Sequence, residues 1–124
     1  MKVLSIGPNK SMSYLIWTVL SNLYRLIIVE NVFEGMHFLK NQRDIRLIIV
    51  DIDYQTKETI DFIHHINSSK IYKKPFIILT NPQNQKLNKS VLEQGAYCCF
   101  IKPFNPLELA NCIKQLSLST SLNE

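Results

Sequence analysis

Five apolar runs punctuate the chain, and between them apolar residues recur every three or four positions. Lys2 to Ile6, Arg25 to Val29, Arg46 to Asp51, Phe76 to Leu79 and Tyr97 to Ile101 read as strands. Leu47-Ile48-Ile49-Val50 and Phe76-Ile77-Ile78-Leu79 lack polar alternation, the pattern of parallel strands buried on both faces. Ile48, Ile49, Val50, Ile77, Ile78 and Leu79 are therefore expected at the centre of the sheet. Helical spacing links Met12, Leu15, Ile16, Val19, Leu20 and Leu23, with Ser11 as the expected N-cap. Phe33, Met36 and Leu39 follow the capping box Asn31-Val32-Phe33-Glu34. Ile60, Phe62, Ile63 and Ile66 mark a third helix, and Leu87, Val91 and Leu92 a fourth that stops at Gly95. The last helix carries Leu107, Leu109, Ala110, Ile113, Leu116 and Leu118 behind Asn105-Pro106-Leu107-Glu108. Parallel strands need crossovers and helices supply them. The pattern predicts a doubly wound α/β fold, a five-stranded parallel sheet with helices on both faces.

Length and composition narrow this further. At 124 residues the chain is expected to form one domain over 1–118, followed by a short polar tail over 119–124. Hydrophobic content of 46% against 19% charged is that of a globular protein. The net charge of +4 is dispersed, with only Lys73-Lys74 adjacent, which argues against nucleic-acid binding. The apolar segment from Met12 to Leu23 is too short and too polar to cross a membrane, so a cytoplasmic location is expected. Cys98, Cys99 and Cys112 lack metal-ligand spacing and read as small core residues of a reducing compartment. His64 and His65 are adjacent and point apart, so they form no chelating pair; one is expected in solvent and one packed at the helix edge.

Chemistry gathers where the strands end. In a parallel sheet the carboxyl ends of the strands meet water, and with strand order 2-1-3-4-5 the ends of strands three, four and five converge on one rim. There stand Asp51, Thr80 and Lys102. A carboxylate, a hydroxyl and an ammonium are the parts for handling a phosphoryl group, the carboxylate as nucleophile and the other two on phosphoryl oxygens. Asp51 and Asp53 also suit a plainer role, closing the turn and capping the helix that follows.

The chain resembles the receiver domains of two-component response regulators, in element order and length throughout. The resemblance is sharpest at Leu47-Ile48-Ile49-Val50-Asp51, at Ile77-Ile78-Leu79-Thr80 and along Gly95 to Leu109, where Ile101-Lys102-Pro103-Phe104 follows an apolar strand and precedes a capped helix. It implies a flavodoxin-like receiver fold, Asp51 as phospho-acceptor, Thr80 as the hydroxyl that follows phosphorylation, Phe100 as the aromatic switch residue and Lys102 as the phosphate-binding lysine. The chain departs from the family where Gly7-Pro8 replaces the adjacent acidic pair that holds Mg²⁺. It departs again at Tyr54-Gln55, in place of Met-Pro, and at Thr59, in place of Gly. Asp53 is left as a compensating carboxylate for the missing pair.

The expected function is a receiver-type signalling module of a phosphorelay, atypical, with weak or no Mg²⁺-dependent phosphorylation. It is expected to be no enzyme and to need no cofactor. Its partner would be a histidine kinase or a downstream signalling protein, meeting the face of the fourth helix, fifth strand and fifth helix, roughly Gln85 to Leu118. No output element is expected beyond Glu124, so output would run through partner binding or a homodimer. An active regulator phosphorylated on Asp51 with Mg²⁺ is the alternative. A flavodoxin-like electron carrier is more remote, because Gly7-Pro8-Asn9-Lys10-Ser11 offers one glycine and a proline where a phosphate loop needs amide donors.

Overall fold

The computed structural model describes residues 1–84, 86, 89, 90 and 93–122. In chain order the elements are β1 (Lys2–Ile6), α1 (Lys10–Leu20), β2 (Arg25–Val29), α2 (Val32–Asn41), β3 (Ile45–Asp51), α3 (Thr56–Ser68), β4 (Phe76–Thr80), a 3₁₀ turn (Pro82–Asn84), β5 (Cys98–Ile101) and α4 (Pro106–Leu122). The strands form one sheet in the order β2-β1-β3-β4-β5, and every pairing is parallel. Leu87, Val91 and Leu92, on which the fourth helix of the sequence pattern rests, lie outside the described residues.

Alternate residues of each central strand feed two separate cores. Leu4, Ile6, Ile48, Val50 and Ile78 pack under α2 and α3 with Val32, Leu39, Phe62, Ile63 and Ile66. Val3, Leu47, Ile49, Ile77 and Leu79 pack under α1 and α4 with Ile16, Leu20, Leu109 and Ile113. The expected centre is there: Ile48, Ile49, Val50, Ile77 and Ile78 are fully buried and Leu79 is 1% exposed. Burial of each such side chain is worth about 1.5–3 kcal/mol, so these two strands anchor the rim above them. Gly35 brings α2 against β1, since a Cβ there would lie 2.6 Å from Ile6 Cδ1.

Several local expectations are corrected. Asn9, not Ser11, caps α1, accepting the Met12 amide at 2.9 Å. Leu23 lies beyond the end of α1 and is exposed. The buried stripe of α2 is Val32, Gly35 and Leu39, which turns Phe33 out to solvent. In α4 the stripe is Leu109, Ile113 and Leu116, which leaves Leu107 and Leu118 outside. The run in β2 reads as a buried strand but is only half buried up to Val29, because β2 is a sheet edge covered on fewer sides. The helical backbone of α4 runs to Leu122, through most of the polar segment that follows Leu118. His64 and His65 are both exposed. Cys98 and Cys112 are not separate thiols: their sulfurs meet as a disulfide between β5 and α4, with Cα atoms 7.5 Å apart. Cys99 is free, and burial pushes its thiol above the usual range.

Candidate functional site

β3, β4 and β5 end at the same level of the sheet, so their terminal residues share one rim. Asp51, the last residue of β3, is 4% exposed, and Thr80, the last of β4, is fully buried. Lys102 follows β5 directly and donates its amide to the Thr80 carbonyl at 2.8 Å, which fixes where its side chain begins. The Lys102–Pro103 peptide bond is cis. The Lys102 Nζ lies 2.6 Å from Asp51 Oδ2 and 2.9 Å from Asp53 Oδ2, and 5.5 Å from the centroid of the Tyr54 ring. Burial by itself lowers the Lys102 pKa. Hydrogen bonds and charge from Asp51 and Asp53 outweigh it, so the ammonium is held above its ordinary value.

Asp53 enters the rim through the turn that Asp51 builds. The Asp51 Oδ1 accepts the Asp53 amide at 3.0 Å, closing the chain on itself just past the strand. This is the plainer turn-closing role, and Asp51 fills it together with its ion pair. Asp53 does not cap α3. The N-cap is Gln55, in the left-handed region at φ 47° and without a side-chain cap bond. The Asp53 carboxylate instead turns inward, where Oδ1 accepts the Asn81 amide at 3.1 Å and the Thr80 hydroxyl at 3.4 Å. Thr59 is buried and donates its hydroxyl to the Tyr54 carbonyl at 3.1 Å. That bond ties the loop after β3 to α3.

The β1 side of the rim is built from uncharged groups. Gly7 sits so close to Asp51 that a Cβ there would lie 3.1 Å from Asp51 Cβ. Pro8 is exposed and offers no side-chain oxygen. The Asn9 side chain is engaged at both ends, its Oδ1 on the Met12 amide and its Nδ2 on the Tyr54 hydroxyl at 3.0 Å. Mg²⁺ asks for several oxygen ligands in octahedral geometry, one or two of them carboxylates. Here the Asp51 and Asp53 carboxylates are turned to Lys102, and no set of three or more acidic, histidine or cysteine side chains clusters among the described residues. The residues present do not fit the metal.

Asp51, Thr80 and Lys102 thus come together as the strand ends suggested, while Phe100 does not join them. Its ring packs on the α1 and α4 side of the sheet, 5.5 Å from the ring of Phe104. Three participants escaped the sequence pattern: Asp53 as a second partner of Lys102, the Asn81 amide, and Tyr54 as the ring beside the ammonium. A weak signal existed for Asp53, since it stands two residues past Asp51. No periodicity marks a backbone amide such as that of Asn81.

No family model matches the chain, and no curated protein matches it. Solved structures do. A response regulator receiver domain protein from Clostridium thermocellum superposes with a TM-score of 0.86 at 20% identity, covering 99% of this chain and 98% of that one. A response regulator receiver protein from Pseudomonas putida gives 0.82 at 21% identity over 92% and 95% of the two chains. The signal receiver domain of a two-component histidine kinase, also from Clostridium thermocellum, gives 0.79 at 25% identity over 92% and 94%. The chain has the fold of response-regulator receiver domains, over nearly its whole described length.

Proposed function

We propose that the chain is a receiver-type module of a two-component phosphorelay that signals by protein contact, without Mg²⁺-dependent phosphorylation of Asp51. The observation that carries this reading is the contrast around Asp51. Its carboxylate is 2.6 Å from the Lys102 ammonium, and on its other side stand Gly7 and Pro8 with no side-chain oxygen and no carboxylate. In phosphoryl transfer the Asp51 oxygen would attack phosphorus as the donor's leaving group departs. Negative charge would then accumulate on three phosphoryl oxygens. A divalent ion normally neutralises that charge. One lysine, already shared between two carboxylates, is a poor substitute.

In this reading Asp51 keeps the family's phospho-acceptor position, and Thr80 and Lys102 keep the phosphate-contact positions, but as a standing polar cluster. Phe100 keeps the switch position half-buried at the margin of the core beside Phe104. The module needs no cofactor and turns over no substrate, and it works in the cytoplasm beside its kinase or downstream partner. The partner face is β5 with α4, where Tyr97, Ile101 and Leu107 are exposed; Gln85, the expected start of that face, lies outside the described residues. No described helix is long and apolar enough to cross a membrane.

Incubation of the unaltered chain with acetyl phosphate, with and without millimolar Mg²⁺, tests this by intact mass. The expected result is no gain of a phosphoryl group under either condition. A Mg²⁺-dependent gain that disappears in Asp51→Asn overturns the proposal and establishes the active phospho-acceptor.

A further inference from the structure

The receiver resemblance offered Asp53 only as a compensating carboxylate for a metal, yet its carboxylate draws together the polar donors of the rim. Its Oδ2 takes the Lys102 ammonium at 2.9 Å and its Oδ1 the Asn81 amide at 3.1 Å, while the Thr80 hydroxyl stands 3.4 Å from Oδ1 and equally far from the Asn81 carbonyl. Its side chain is only 10% exposed. An ammonium, a hydroxyl and a backbone amide aimed at one place form an oxyanion cradle, and in this chain a carboxylate of the chain itself lies in it.

We infer that Asp53 is a resident anion, standing where the oxygens of a phosphoryl group on Asp51 would have to be bound. The inference rests on the receiver reading of the rim. A phosphoryl group joined to Asp51 would need the same three donors, because its oxygens would sit within a bond length or two of the Asp51 carboxylate. Asp53 would first have to withdraw from all of them. It would then face a group carrying close to two negative charges, across a buried site with one lysine. The carboxylate therefore excludes the phosphoryl group and at the same time holds Thr80 and Lys102 inward, in the posture an anion there requires. The device is an autoinhibitory contact built into the loop after β3.

A plainer account is that Asp53 only neutralises Lys102. The two accounts differ in what remains when Asp53 is removed, an anion site or merely a looser lysine. The test uses the full chain with Asp51→Asn, which removes the neighbouring negative charge, and compares it with Asp51→Asn/Asp53→Ala. Each is titrated with inorganic phosphate while the Asn81 amide is followed by ¹⁵N NMR. The double variant is expected to bind phosphate at least about tenfold more tightly, the equivalent of one charge-assisted hydrogen bond. The Asn81 amide proton should move with occupancy, and adding Lys102→Ala should remove the gain. Asp53→Ser replaces Asp53→Ala if the alanine variant fails to fold. Equal affinity in single and double variants, no binding by the double variant, or a stationary Asn81 signal overturns the inference. Acetyl phosphate labelling of Asp51 in the unaltered chain would overturn both the reading without phosphorylation and the exclusion by Asp53, whereas equal phosphate affinity of the two variants in an unlabelled chain would overturn the resident-anion inference alone.

Discussion

The rim of the sheet has a charged half and a neutral half, and both border Asp51. On the side of β3, β4 and β5, two carboxylates, a lysine, a hydroxyl and an amide satisfy one another across 2.6 to 3.4 Å. On the β1 side, Gly7, Pro8 and Asn9 bring shape and one capping side chain but no charge. Both halves stand on the same buried strands, so the difference lies in the loops. The charged half is closed because every group in it has found a partner within the chain. The neutral half adds no carboxylate beside Asp51. Two loops on one set of strands thus give Asp51 a charged neighbour on one side and uncharged neighbours on the other.

The largest effect should come from unbalancing the charged half. Lys102→Ala leaves the Asp51 and Asp53 side chains, only 3% and 10% exposed, facing each other without a cation. Loss of one partner from a buried ion pair typically costs about 3–5 kcal/mol, and urea unfolding should show a loss of that order. A loss below about 1 kcal/mol, the range of surface pairs, would mean that solvent screens the cluster.

The neutral half should respond more weakly. Asn9→Ala removes the α1 cap and the Tyr54 hydrogen bond, at an expected cost of about 1 kcal/mol by the same measurement. An effect as large as that of Lys102→Ala would show that the β1 loop bears on the charged cluster through Tyr54.

The smallest effect within the ordinary pH range should be that of pH on the cluster. The Lys102 pKa is raised in the folded chain, so the stability it contributes is fully present below the unfolded lysine value near 10.5. That contribution is lost as pH rises through the folded value. The stability gap between the wild-type chain and Lys102→Ala should stay constant from neutral pH upward and narrow only above about pH 10.5. A gap that already closes between pH 7 and 9 would contradict a lysine held by two carboxylates.

Much of the molecule was legible because its signals are local. Unbroken apolar runs identify Ile48 to Val50 and Ile77 to Leu79 as strands buried on both faces, and each run ends in a polar residue that must lie at the sheet rim. Lys102 followed by Pro103 marks the end of the fifth run in the same way. Edge positions were less visible. Leu26-Ile27-Ile28-Val29 has the composition of a central strand, yet it is half buried, since exposure there depends on how many neighbours the sheet supplies.

By itself, then, the sequence determined the five strands and the helices that follow the first, second, third and fifth of them, which strands form the centre, and that Asp51, Thr80 and Lys102 would gather at one end. These follow from periodicity and from the abrupt change of polarity where an apolar run stops. Only the tertiary structure decided that Asp53 turns inward to Lys102, that Cys98 meets Cys112, and that Asn9 links α1 to Tyr54. The reason is separation along the chain. Asp53 lies 27 residues from Thr80 and 49 from Lys102, and its direction depends on a turn closed by the Asp51 side chain. A side chain just past a strand end can point to solvent, to the next helix or back across the rim. Which of these it takes is set by the donors that other strands deliver there, and those donors come together only once the sheet has formed.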